Sequence, residues 1–190
     1  MKVWELKNDR INDVARLVFA SDEELASGMF DGDGRPLDWK TRPHANVFVE
    51  PRKKKTKPRV DISLLSAGYL VLNARARAAL GEFLSQFGQL LELDVDGEIE
   101  WFYNVTNVID CIDLQSSVLR PEGSIAKEAF HADRIPADPM IFKDPRTART
   151  RIYVNECAKE LLQERMASAG ITGAAFVEPG PPPPRPRPGT

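Results

Sequence analysis

Tyr69-Leu-Val-Leu-Asn73 and Arg151-Ile-Tyr-Val-Asn155 are the stretches on which the fold turns. Displaced by 82 positions, the chain lays Asn73 on Asn155, Ala76 on Ala158, Leu80 on Leu162, Glu82 on Glu164 and Gly88 on Gly170. Each copy reads as a β-rich run, an Asn that caps a helix start, about three turns of helix, and a Gly at the helix end. Ala76, Leu80, Phe83, Leu84 and Phe87 form one apolar stripe, and Ala158, Leu161, Leu162, Met166 and Ala169 form the other. Such stripes are spaced to pack on a sheet. An apolar run follows each glycine, at residues 90–95 and 174–177. The chain is therefore expected to hold two strand-helix-strand units.

Between the copies, Leu91, Leu93, Ile99 and Trp101 alternate with Glu92, Asp94, Glu98 and Glu100 around Asp96-Gly97, a hairpin pattern. A two-residue turn would set Leu93 against Glu100 and mix the faces. A three-residue loop, Val95-Asp96-Gly97, pairs Leu93 with Ile99 and Leu91 with Trp101, and that register is predicted. It gathers Glu92, Asp94, Glu98 and Glu100 on one face, Asp94 opposite Glu98 and Glu92 opposite Glu100. Opposed like charges cost only a few tenths of a kcal/mol per pair on a solvated strand. Two readings stay open at this point: a solvated face, or an anionic patch kept for a cationic partner.

The run Trp101-Phe-Tyr-Asn-Val-Thr-Asn-Val-Ile-Asp-Cys-Ile-Asp-Leu114 is apolar on both faces and reads as a long central strand with a bulge at residues 104–107. Asp110 and Asp113 read as turn formers. Upstream, Val3, Trp4 and Leu6 predict a short strand, and Val14, Leu17 and Val18 a short helix. Asp31, Asp33 and Asp38 lie in a Gly/Asp turn region that lacks the ligand series and terminal Glu of a calcium loop. Arg52, Lys53, Lys54, Lys55, Lys57 and Arg59 form a solvated basic loop without interleaved aromatics for base stacking. Downstream, residues 125–130 predict a short helical piece and Met140-Ile-Phe142 a strand.

His131 and Asp133 are the one His–carboxylate pair close in sequence, and no Ser or Cys sits in a nucleophile elbow. Cys111 and Cys157 make neither a CxxC motif nor a disulfide framework. The 26 basic and 28 acidic residues leave a net charge of −2, so direct nucleic-acid binding is not indicated. No apolar run reaches membrane-spanning length and the N-terminus lacks a secretory signal, so a cytoplasmic protein without cofactor or metal is expected. The fold class predicted is α+β: one domain over residues 1–178 with a mixed, largely antiparallel sheet and at least two packed amphipathic helices. In residues 179–190, seven of twelve are proline, which predicts a disordered tail.

The run at 101–114 resembles the signature of a bacterial immunity family: an aromatic, an Asn-Val pair, then hydrophobic-Asp-x-hydrophobic-Asp. Pro36-Leu-Asp-Trp39, Met140-Ile-Phe142, Ile152-Tyr-Val-Asn155 and Ala169-Gly-Ile-Thr-Gly173 match in order. Over residues 30–178 the chain is thus similar to the polymorphic-toxin immunity proteins of immunity family eleven, with Ile112 where members often carry Leu. The resemblance implies a cytoplasmic antitoxin that binds a cognate secreted toxin, commonly a nuclease, and that carries no catalytic residues. Glu92, Asp94, Glu98 and Glu100 are then the expected contacts, mimicking phosphate in a basic cleft. Two rivals from other classes are an adaptor that docks through its Arg/Pro tail and an enzyme built on His131 and Asp133.

Overall fold

In a computed structural model, the protein is described over residues 2–9, 12–50 and 56–180. The predicted tail from 181 onward and most of the basic run, residues 52–55, lie outside the described residues. Three short elements open the chain: β1 (Val3–Asn8), β2 (Leu17–Phe19) and α1 (Asp22–Ala26), followed by β3 (His44–Val47). The first repeat follows as β4 (Ile62–Ser66), β5 (Tyr69–Leu72), α2 (Ala74–Leu84), β6 (Gly88–Val95) and β7 (Glu98–Val105). A small hairpin, β8 (Val118–Leu119) and β9 (Ile125–Lys127), precedes the second: β10 (Ile141–Phe142), β11 (Tyr153–Asn155), α3 (Glu156–Ala169) and β12 (Ala174–Val177).

The two repeats have the same topology. One sheet ends in the order β6-β7-β5-β4, and the other runs β12-β1-β11-β10. In each, the strands before and after the helix are antiparallel to the strand between them, and so parallel to one another. The slot is filled in the first unit by the strand that follows, β7, and in the second by the N-terminal strand, β1. Asn73 and Asn155 cap their helices as predicted, accepting from the amides of Ala76 and Ala158 at 2.9 and 3.0 Å. The apolar stripes of α2 and α3 meet in one core with Leu6, Leu70, Leu72, Tyr103, Ile141 and Val154. The fold is α+β, largely antiparallel, with β3–β6 the parallel ladder that makes the larger sheet mixed.

The duplication fails at one glycine. Gly170 caps α3 in the left-handed region at φ 64°, but α2 ends at Ser85 in a right-handed conformation. Gly88 instead begins β6, where an added Cβ would stand 2.2 Å from the Asn104 carbonyl oxygen. Its smallness serves strand packing, not helix capping.

The six-stranded sheet, ordered β2-β3-β6-β7-β5-β4, curls until its end strands β2 and β4 lie together. The Ala15 amide bonds the Pro58 carbonyl there at 2.9 Å. Its inner face encloses Leu17, Phe30, Ala45, Leu65, Val71, Leu93, Val95 and Phe102. Phe30 and Trp39 close it, with ring centroids 5.5 Å from Phe102.

Three local expectations are corrected. Val14, Leu17 and Val18 do not form a helix: Leu17–Phe19 is a strand pairing with β3, because its β-branched and aromatic residues complete the curled sheet. Residues 125–127 pair as β9 with β8 rather than forming a helical piece. The central strand stops at Val105 without a bulge, and the chain crosses to the other sheet. There Lys143 exchanges main-chain bonds with Asn107 and Ile109 at 2.9 Å, while the buried Asp144 carboxylate accepts the amides of Cys111 and Ile112.

Candidate functional site

The hairpin register is Val95↔Glu98, Asp94↔Ile99, Leu93↔Glu100 and Glu92↔Trp101. Asp96 and Gly97 form a two-residue turn, both with positive φ, 52° and 91°. That conformation matches the right-handed strand twist, and Asp-Gly is among its preferred sequences. The three-residue loop expected from the alternation presupposes one buried face. The strands have two, because α2 covers one side of the sheet and the N-terminal layer fills the other. A Gly97→Ala variant has open space around the new methyl, so it isolates the backbone cost. It should lower stability by about 1–2 kcal/mol in urea unfolding, the cost of a left-handed non-glycine residue.

The four predicted contacts are therefore not one face. Glu92 and Asp94 turn to the α2 side, and Glu98 and Glu100 to the inner side. Glu100 is removed from any surface: it is 6% exposed, and the Arg59 guanidinium stands 2.5 Å from Oε1. Burial pushes its carboxyl above the usual range, opposed by Arg59 and reinforced by Glu98 and Asp96. Its Oε2 has no hydrogen-bond partner among the described residues. It is a structural charge under the curled sheet.

Glu92, Asp94 and Glu98 remain near the hairpin end, joined by two residues not predicted as contacts, Asp96 and Glu24. Asp94 accepts the Gly97 amide at 2.7 Å, and Asp96 accepts the Val47 amide at 3.1 Å. His44 sits between carboxylates: its Nδ1 is 3.5 Å from Glu24, its Nε2 is 3.8 Å from Asp94, and its amide donates to Glu24. Arg42 pairs with Glu92. Four carboxylates, Glu24, Glu92, Asp94 and Asp96, thus gather around Arg42 and His44, and Glu98 stands on the inner side of the same hairpin end. Ser21 caps α1 by accepting the Glu24 amide, which fixes Glu24 in the first turn. Sequence offered no route to Glu24, because it reaches Asp94 only through the parallel pairing of His44 with Asp94. Asp96 was legible as the turn residue, and its side chain proves to tie β3 to that turn.

The structure gives no ion pair between His131 and Asp133. The His131 amide donates to the Cys111 carbonyl, while Asp133 is exposed in a short 3-10 turn. Burial, then the nearby Asp144 and Asp110 charges, push the Cys111 thiol up to about 12, which makes it an unreactive thiol at neutral pH. Asp110 pairs with Arg146 and Arg134, and Asp113 accepts the amides of Gln115 and Ser116 as a turn former. Among the described residues no group of three His, Cys, Asp or Glu could hold a metal ion. No described helix is long and apolar enough to cross a membrane.

The motif residues at 36–39 and 101–114 act as ties between elements. Asn104 Nδ2 donates to the Arg35 carbonyl and to Gln89 Oε1, both at 2.9 Å. Gln89 in turn holds the Leu37 main chain at 2.8 and 3.1 Å. Asn107 donates to the Ile141 carbonyl at 2.8 Å. These bonds pin the N-terminal layer to β6 and β7, and the two sheets to each other. Compared with known proteins, the chain matches no family model and no curated protein.

Proposed function

We propose that the protein is an immunity protein: a cytoplasmic antitoxin that binds a cognate secreted toxin, of nuclease type, and blocks its substrate surface. The observation that carries this reading is the acidic end of the curled sheet. Glu24, Glu92, Asp94 and Asp96 gather there, with Glu98 on the inner side of the same turn, and Asp94, Asp96 and Glu24 are held by main-chain donors in fixed positions. A fixed array of carboxylates suits a cleft built for phosphates and speeds encounter with it. The protein is on this reading a binding protein, with neither cofactor nor catalytic residues. The motif resemblance supports it independently of the charges.

Capture of the tagged chain from its own host, with mass spectrometry, tests the reading. It requires a near-stoichiometric partner with a toxin-like domain, which the chain then inhibits. No such partner, in cells that demonstrably express the toxin, overturns it. Charge reversal of Glu24, Glu92 and Glu98 together should weaken toxin association by about tenfold or more at low salt and flatten its salt dependence. Glu100→Gln should leave affinity unchanged and alter stability alone, since its side chain is only 8% exposed. Equal affinity for the triple reversal would make the acidic end a bystander surface. A tail adaptor would instead lose its partner on deletion of residues 179–190, which the antitoxin should tolerate.

A further inference from the structure

The hairpin turn decides which way the main chain of β6 points. With Val95 and Glu98 as the last rung, the amides and carbonyls of 91, 93 and 95 turn toward β7, and those of 90, 92 and 94 turn to the other edge. Part of that edge is occupied. The Asp94 amide donates to the Pro43 carbonyl at 3.0 Å, and the Asp96 amide to the Ala45 carbonyl at 3.2 Å. The β3 ladder stops there, covering His44↔Asp94 and Ala45↔Val95. Among the described residues no donor or acceptor meets the edge-facing main-chain groups of Leu90 and Glu92.

The cause lies in the N-terminal layer. Gln89 holds Leu37 by its main chain, and Trp39 packs on Phe102. The chain therefore crosses the inner face of the sheet and reaches the edge of β6 only at Pro43. What remains is a cleft of about 360 Å³ between that crossing and β6, lined among others by Leu37, Trp39, Lys40, Arg42, Leu91 and Glu92. Two consecutive edge positions with free N–H and C=O groups are matched by extended backbone and by little else. Side chains of an added strand would alternate. One set faces Leu91 and Trp39, which are apolar; the other faces Leu90 and the carboxylate of Glu92, since β3 already lies beside Asp94.

We propose that the β6 edge at Leu90 and Glu92 accepts, as an added strand, an extended toxin segment of alternating aliphatic and cationic residues. The identity of the partner rests on the antitoxin reading; the strand addition rests on the edge itself. Arg42, paired with Glu92 at the cleft, is displaced by the incoming cation.

Amide hydrogen exchange of the full-length chain, followed residue by residue by NMR, tests this with a blocked peptide, acetyl-Lys-Val-Lys-Val-Lys-Val-Lys-amide, as the probe. In the free protein the Leu90 and Glu92 amides should exchange at least about tenfold faster than those of Leu91 and Leu93, which bond β7. Peptide should slow both by about tenfold or more, and the same peptide with Glu for Lys should not. Glu92→Pro removes the edge donor without touching the β7 ladder and should abolish the protection. Glu92→Gln keeps the donor and should retain it at higher peptide concentration. Unchanged Leu90 and Glu92 amides at saturating peptide, or protection elsewhere, overturn the strand addition even if Glu92→Pro fails to fold. A captured toxin that leaves both amides unprotected also overturns it, while the antitoxin reading stands.

Discussion

Asp61→Ala should lower the stability of the protein by about 3 kcal/mol or more, since hydrogen bonds to a charged group contribute roughly 1.5–3 kcal/mol each. Asp61 lies just before β4, is 5% exposed, and serves both repeats at once. Its Oδ1 accepts from Asn73 Nδ2 and Arg75 Nη1, both at 3.0 Å; its Oδ2 accepts from the Thr172 amide and hydroxyl, both at 2.9 Å. Asn73 caps the start of α2, and Thr172 follows the end of α3. Arg75, steered by Asp61, also donates to the carbonyls of Ala169 and Gly170 at the α3 C-terminus. Arg75 itself is largely exposed, so the salt bridge adds little beyond its geometry. The loss comes from the Thr172 and Asn73 donors left without an acceptor. Asp61→Asn should fall between, because an amide offers one acceptor oxygen where the carboxylate offers two.

The same site has a pH signature. Burial raises the Asp61 carboxyl, but the bonds from Asn73 and Thr172 and the charge of Arg75 outweigh it and hold the group below the usual carboxylate value. The unfolded chain then binds a proton at higher pH than the folded one. Asp61 accordingly contributes its full stability above the unfolded value of about 3.9 and loses it as pH falls through the folded value. Urea unfolding of wild type and Asp61→Ala should differ most at neutral pH, and the gap should narrow as pH falls below about 3.9. A gap that is constant with pH, or below about 1 kcal/mol at pH 7, would mean the carboxylate is no hub.

What could be read in the sequence and what could not divide along one physical line. The strand-cap-helix units were legible because their signals are local: Asn73 and Asn155 bond amides three residues on, and the stripes repeat within a few residues. The hairpin register was not legible, because the alternation rule assumes one buried face and this hairpin has two. Glu100 looked like a surface acid for the same reason, and Arg59, its partner, sits 41 residues away. The short strand Leu17–Phe19 has meaning only as the piece that closes the curled sheet. Long-range pairings decided each of these, and no window of sequence contains them. The candidate site was half legible: Glu92, Asp94 and Glu98 by pattern, Glu24 and Asp96 only by contact.

Wild type should gain about 2 kcal/mol relative to Lys143→Met between pH 7.5 and 9.5, by proton linkage. Lys143 follows β10 and is 1% exposed, with its ammonium donating to the Gly32 carbonyl. Desolvation lowers its pKa from 10.5 to about 8, and the nearby charges of Asp33 and Asp31 only partly offset it. Between about 8 and 10.4 the unfolded chain holds a proton that the folded chain has released, so stability rises with pH there. Below pH 8 both states are charged, and the folded state bears the cost of a poorly solvated ammonium. Other groups move oppositely: the Cys111 thiol is raised to about 12, so its unfolded form ionises first and stability falls above about 8.5. Tyr103 and Tyr153 are raised by burial and act in that same direction only near pH 10 and above. The difference between wild type and Lys143→Met removes these shared terms and leaves Lys143 alone. The lysine also fixes the 29–35 layer over the sheet, together with the Trp39 indole on the Met29 carbonyl at 2.6 Å and Arg149 on Asp31 at 3.0 Å. With three donors and one protein acceptor described, its ammonium is under-satisfied, which is why neutralisation stabilises the fold. Parallel pH profiles for the two proteins would show instead that the ammonium is well solvated where it lies, and that the layer over it is open to water.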